Sequence, residues 1–420
     1  MVPMLLIGNP GNRRTAGLQA ARARLGLPPA VVVPYLALLQ GQLSLAEVAQ
    51  WTELHGCSAP YIRLDAPGED FDVERALIAL GAPDRSVSAE EERLLPYGTR
   101  SDPDPWSSSM ALGTKEQVGR LYHPAQWFRG FGRLLARLES EAAELWPAVH
   151  WMNAPRDIVV MFDKRYTHQV LTAAGVPVPR LLAEPDRIGN YEELKETMMR
   201  ERMHRVFIKL ACGSGACGVV AYQLNSLTGA ELAVTTLGVE TYLARPPIFF
   251  NSMKIRKYSD KTTIRLIVNW LLKQGAHTEQ WIAKASYQDR TYDIRQLVVS
   301  GEPCHRVARV SRTPITNLHL RSERMSLDAV GLDKRLQTIV GDCAVKALAA
   351  FPSAAAAGVD VLLSSGSMQP YVIDVNPFGD LLYKVLHQGE DAYTWELMKT
   401  IAEPHRETAA REVLREEELA

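Results

Sequence analysis

The chain has 420 residues, too many for one ordinary hydrophobic core, so two or three packed domains are expected. Its composition, 46% hydrophobic and 23% charged, is that of a globular protein, and a formal net charge of -1 argues against a large basic footprint for nucleic acid. The 5 cysteines are too few for a disulfide framework, and the apolar start has no basic region before it. No uninterrupted apolar run approaches the roughly 18 residues of a membrane span, so a soluble, cytoplasmic chain with no membrane partner is expected.

The opening MLLIGNPGNRR reads as a buried strand entering a Gly/Pro turn, TAGLQAARARLG as a helix, and AVVVPYL as a second strand. YIRLDAPGEDFDVERALIALG repeats the plan: a strand, a turn at Pro67-Gly68, and a helix through Val73 to Leu80. This alternation predicts a small parallel α/β domain over 1–110, with its site at the carboxyl ends of the strands. Arg63, Asp65 and the Pro67-Gly68 turn are the candidates there.

Residues 96–122 are rich in turn formers and read as a linker or surface segment, and 111–152 reads as a helical linker. Within it, PAQWFRGFGRLLARLESEAAELW is amphipathic, with Trp127, Phe131, Leu134 and Leu138 mostly on one face. Its interleaved arginines and aromatics suit nucleic-acid stacking in principle, but core packing with solvated arginines is the preferred reading. After residue 153 the texture changes. DKRYTHQVLTAAGVPVPRLL is a helix stopped by Gly175, then an extended Val-Pro-Val-Pro exit into a new domain. The tail, 404–420, reads as a charged, solvent-facing helix.

VFIKLACGSGACGVVAY holds two strand-like runs around a loop of small residues. Gly213, Ser214, Gly215, Ala216 and Gly218 give a backbone that can present consecutive N–H groups to phosphate, with Lys209 as a point charge before them. A plain hairpin with a glycine-rich turn stays open as the alternative. Neither common phosphate fingerprint, G-x-x-x-x-G-K-[ST] nor G-x-G-x-x-G, is present. Cys212 and Cys217 have no second Cys or His pair at zinc spacing and no activating base beside them, so they read as small loop residues.

In AAGVDVLLSS and QPYVIDVNPFGDLL each apolar strand carries an acid. Asp374 and Asn376 are i and i+2 and share a face; if the first strand pairs alongside, Asp360 joins them. Two carboxylates and an amide oxygen are hard ligands suited to Mg²⁺, with a solvated edge strand as the alternative.

A lysine and glycine-rich hairpin followed by D…D-x-N-P resembles the ATP-grasp superfamily, and the match runs from about Asn153 to Asp380. The resemblance implies an α+β fold in which two lobes hold ATP, preceded by the small parallel α/β domain. The N-lobe would be 153–278, with the lid and an insertion, and the C-lobe 279–403, with the metal triad. In its motifs the chain is similar to the ribosomal-protein glutamate ligases, and it resembles a bacterial subfamily whose substrate is unassigned.

By this resemblance Lys164 and Lys209 are the ATP lysines, and Ser214, Gly215, Ala216, Cys217 and Gly218 form the lid. Glu279, Gln280, Trp281 and Ile282 would form the hinge that meets adenine. Asp293 would lie near the ribose and Arg295 near the acyl group. Arg309 and Asn317 would surround the γ-phosphate and acyl phosphate, and Asp360, Asp374 and Asn376 would hold one or two Mg²⁺.

The chain departs from the pattern in three places. Asp374 stands where glutamate is commoner, the 223–278 segment is longer and more basic, and Arg321 and Ser322 replace a double glycine. The implied activity is an ATP-dependent carboxylate–amine ligase, thiol ligases being its kin, that makes an amide or peptide-like bond through an acyl phosphate and releases ADP and phosphate. Its partners would be a small-molecule or peptide carboxylate and an amine nucleophile. A phosphotransferase on the same fold and a nucleotide-binding module without turnover stay open, and a homodimer is the working expectation for the oligomeric state.

Overall fold

The computed structural model describes residues 3–51, 53–54, 56–95, 104–213, 215–320, 322–380 and 382–402. Strand β1 (Met4–Gly8) is buried at every residue, as a central strand covered on both faces must be. β2 (Val31–Pro34), β3 (Tyr61–Leu64) and β4 (His150–Trp151) join it in the order β2-β1-β3-β4, all parallel. The fourth strand comes from the segment read as a linker. The helix Pro124–Leu145 from that segment also sets Phe131, Leu134 and Leu138 into one core with Leu5, Ile7, Val73 and Leu77.

The helices Phe71–Leu80 and Pro124–Leu145 cross closely because two glycines allow it. A Cβ on Gly130 would lie 1.9 Å from the Leu77 carbonyl oxygen, and one on Gly81 would lie 1.9 Å from that of Gln126. The long helix does not keep its arginines in solvent, as its amphipathic pattern predicts. Arg133 is buried and donates to the Leu80 carbonyl at 2.7 Å, and Arg129 donates to that of Gly81 at 3.2 Å. The last carbonyls of a helix have no intrahelical partners, so a crossing arginine is drawn in to satisfy them.

Among the described residues, a second, antiparallel sheet has the order β8-β7-β6-β5-β9. It comprises β5 (Arg205–Lys209), β6 (Val219–Leu224), β7 (Glu231–Glu240), β8 (Ile248–Tyr258) and β9 (His277–Gln280). Tyr191 and Leu194 of one helix and Ile264, Ile267 and Val268 of another cover it. The third sheet runs β13-β12-β11-β14-β15 with β10 paired to β11. Its strands are β10 (Ser286–Tyr287), β11 (Arg290–Val299), β12 (Glu302–Ser311), β13 (Glu323–Met325), β14 (Ala356–Leu363) and β15 (Pro370–Asn376). The helix Lys334–Ala349 packs Val340, Ala344 and Ala347 on it.

A parallel α/β unit followed by two α+β lobes is the expected architecture. The tail predicted to be helical, 404–420, lies outside the described residues. No described helix is long and apolar enough to cross a membrane.

Candidate active site

The second and third sheets face each other across an open cleft lined by residues of both. β5 ends on Lys209 at the mouth of the glycine loop. Lys209 Nζ donates to the Ile373 carbonyl at 2.9 Å and lies 2.5 Å from Glu279 Oε1. β9 pairs with β5, setting Glu279 opposite Phe207, and His277 Nε2 lies 2.9 Å from the other Glu279 oxygen. Burial alone would raise the Glu279 carboxyl, but Lys209 and His277 outweigh it and draw it down to about 2.

Lys164 opens the helix Lys164–Ala173, where Asp163 accepts the Arg165 amide as N-cap. The Lys164 amide donates to the Ala211 carbonyl at 2.9 Å, tying this helix to the loop, and its Nζ donates to Asp374 Oδ1 at 2.8 Å. β14 and β15 are antiparallel with Asp360 opposite Asp374, as the shared-face argument requires. The Asn376 amide donates to the Gly358 carbonyl at 3.0 Å.

Asp293 is wholly buried on β11. It accepts Lys284 Nζ at 2.9 Å, the Thr316 hydroxyl, and Arg309 Nε at 2.7 Å. Burial would raise its carboxyl, but Arg309 and Lys284 hold it well below the ordinary range. Its oxygens are therefore committed to orienting Lys284 and Arg309, where the sequence reading set it against a ribose. Arg309 Nη2 continues to Asp360 Oδ2 at 3.0 Å. Burial, with Asp293 and Asp374 adding to it, pushes the Asp360 carboxyl up against the pull of Arg295 and Arg309.

The cleft gathers Lys164, Lys209, Ala216, Cys217, Glu279, Gln280, Ile282, Asp293, Arg309, Asn317, Asp360 and Asp374. Other expected residues are not in its lining. Arg295, expected at the acyl group, sits behind the wall, with Nε 2.9 Å from Asp360 and 3.2 Å from Asp380. The Trp281 ring packs on cleft-lining Phe207 and under the Arg205 guanidinium. Asn376, Gly215 and Gly218 stand outside the lining, and Ser214 lies outside the described residues.

Gly218 has φ 64° and packs so closely that a Cβ would lie 2.3 Å from Leu210 Cδ1; this fixes the loop's return into β6. Burial pushes the Cys217 thiol up to about 12 and raises that of Cys212 strongly, so neither is a thiolate at neutral pH.

Sequence reasoning missed Lys284 and Thr316. Lys284 lies in the irregular stretch after β9, where no periodicity marks it. The strand-end candidates of the first domain do not open onto a site. Arg63 is buried, with Nη1 2.6 Å from Glu396 Oε2 and its guanidinium over the Tyr393 ring, and Asp65 lies 3.6 Å from it. This buried pairing locks the first sheet to the helix Ala392–Ala402.

Lys164, Lys209, Lys284, Arg295 and Arg309 each lie within 2.9 Å of a carboxylate oxygen. A polyanion that displaces these carboxylates from their cations would leave two of them, Asp360 and Asp374, face to face. Hard oxygens so placed suit a divalent cation such as Mg²⁺ that keeps several waters. No cluster of three or more His, Cys, Asp or Glu arranged for a metal occurs among the described residues.

No family model matches the sequence, and no curated protein matches it in sequence. Among solved structures the chain is similar to the D-cycloserine synthetase DcsG, with 13% identity, TM-score 0.50, and coverage of 94% of this chain and 98% of that one. The D-alanine–D-alanine ligase of Bacillus anthracis complexed with ATP has 11% identity, TM-score 0.47, and coverage of 98% and 100%. The ATP-grasp ligase PsnB, complexed with a precursor variant, Mg and ADP, has 12% identity, TM-score 0.47, and coverage of 95% and 98%.

Proposed function

We propose that this chain, an ATP-grasp protein by its fold, is an ATP-dependent carboxylate–amine ligase that forms an amide or peptide-like bond and releases ADP and phosphate. The observation that carries this reading is the pair of cross-cleft contacts beside the glycine loop, Lys164 with Asp374 and Lys209 with the Ile373 carbonyl. The expected division into lobes 153–278 and 279–403 moves past Gln280, because β9 completes the first lobe's sheet.

A carboxylate is a poor electrophile, because an amine cannot expel oxide from it. The substrate carboxylate oxygen attacks the γ-phosphorus and ADP leaves. The amine then attacks the acyl carbon and phosphate departs with the oxygen. Positioning and charge neutralisation do most of such catalysis. Lys164, Lys209 and the loop amides would bind the phosphates, and Arg309, aimed by Asp293, would face the transferring group. Asp360 and Asp374, with Asn376 beside them, would hold Mg²⁺, which supplies further neutralisation of phosphate charge. Closure of the small-residue loop would keep water from the acyl phosphate.

The test is Mg²⁺-dependent turnover of ATP with pooled carboxylic acids and hydroxylamine as surrogate amine, alongside Asp374→Ala. ADP, free phosphate and a hydroxamate with the unaltered protein alone would support the reading. AMP and pyrophosphate would overturn it, and ADP without free phosphate would indicate a phosphotransferase.

A further inference from the structure

β8 is the outer strand of its sheet, and the chain covers only part of its free edge. The Leu121 amide donates to the Phe249 carbonyl at 2.9 Å, and the Asn251 amide donates to that of Gly119 at 2.7 Å. Arg120 faces Phe250 between them in antiparallel sense. This covering segment approaches so closely that a Cβ on Gly119 would lie 2.7 Å from the Asn251 oxygen.

Past Asn251 the register jumps. Asn251 is opposite Leu237 and Arg256 opposite Thr235, so residues 252–255 bulge out beside Thr236. The Thr236 hydroxyl donates to the Ala216 carbonyl of the glycine loop at 3.1 Å, which sets the bulge level with that loop, about two strand spacings or 10 Å out from β6. The short turn Leu318–Leu320, next to cleft-lining Asn317, packs beside β8 from the other lobe.

Lys254, Arg256 and Lys257 are exposed on this stretch, and among the described residues none has an ion-pair partner. Met253 and Val118 beside them are 63% and 91% exposed. So local an excess of positive charge stands out in a chain of net charge -1.

We propose that the 252–257 stretch of β8 is a docking edge for an acidic, extended peptide segment that adds to the sheet and leads a carboxylate into the cleft. It deepens the ligase reading, on which the peptide's role as substrate rests. Backbone pairing would give affinity, the three cations would select acidic side chains, and Met253 and Val118 would bury apolar ones. Edge lysines also serve simply to deter strand-to-strand aggregation, and that role binds nothing.

The experiment is fluorescence anisotropy of a labelled peptide of alternating Val and Glu, titrated with the full chain at low and high salt. It is repeated with K254E/R256E/K257E and with a Val-Lys peptide. Binding of the acidic peptide should weaken about tenfold or more on charge reversal and in high salt. The reversed variant should instead take up the basic peptide, while its ATP affinity stays that of the unaltered chain. That exchange also shows that the variant is folded. A backbone N-methylated acidic peptide should bind more weakly than its parent. No binding of the acidic peptide, binding indifferent to charge reversal, or preferential binding of an oligouridylate through the same residues would overturn the proposal. Because the assay needs no turnover, failure of the ligase chemistry and failure of the docking edge are separate results.

Discussion

Lys164 Nζ donates to Asp374 Oδ1 at 2.8 Å, joining the first residue of a helix to a strand 210 residues later in the chain. The same aspartate faces Asp360 across β14 and β15. Binding of a magnesium nucleotide requires an exchange: Lys164 passes to a phosphate, and Asp374 passes to the metal.

Asp374→Ala should therefore lower Mg²⁺-dependent turnover by about 10²–10³, the usual loss on removing one electrostatic contact to a transferring group. Metal-free ATP should bind the variant as well as, or better than, the unaltered chain, because Lys164 is released from its partner. Calorimetric titration with and without Mg²⁺ checks this; weaker metal-free binding would disprove the exchange.

Glu279 makes stability depend on acid. Its carboxyl lies at about 2 against an ordinary 4.5, so protons bind the unfolded chain more readily. The stabilisation is complete above about pH 4.5 and is lost as pH falls toward about 2. Its full size is roughly 3 kcal/mol. His277, whose protonation is resisted first of all by burial, adds to the loss below its ordinary 6.5. Glu279→Gln should flatten the acid limb of a denaturation-midpoint profile, and an unchanged limb would remove Glu279 from the account.

Arg295 separates two roles. It holds Asp360 and Asp380 from behind the cleft wall, so Arg295→Met should lower kcat about tenfold and leave KM for the acid within about threefold. A large rise in KM at unchanged kcat would instead put Arg295 on the substrate carboxylate.

Gly130→Ala should lower the denaturation midpoint, since the added methyl meets the Leu77 carbonyl, which is backbone and cannot rotate away. The cost of such overpacking is about 1–3 kcal/mol or more. Gly68→Ala, where a Cβ meets nothing within 4 Å, is the control and should be nearly silent. Equal effects from the two would refute the close-crossing account.

Much of the cleft was legible in the residues. Strand pairing brought Asp360 opposite Asp374, but the alternation read in YVIDVN is interrupted by a register shift at Ile373, which lines the cleft with Asp374 while Asn376 stands outside it. The glycine hairpin between Lys209 and Val219 followed from two apolar runs around small residues. Lys284 was passed over because no local motif marks it; its partners Asp293 and Thr316 come from β11 and the loop after β12. Arg295 was assigned to the cleft because its strand motif is right, but alternation says only which sheet face a side chain takes. Arg133 read as solvated because an amphipathic pattern cannot foresee a neighbouring helix end with unsatisfied carbonyls.

The periodic elements, the glycine loop and the acids at fixed spacing follow from the amino acids alone, because backbone sterics and side-chain alternation act over a few residues. Which cation meets which carboxylate is visible in the folded chain alone: Lys209 with Glu279, Arg309 with both Asp293 and Asp360, and Arg63 with Glu396. Those pairings depend on which strands lie side by side in a sheet and on which helix packs against it. A buried charge must find a partner wherever packing brings one, however far apart the two lie in sequence.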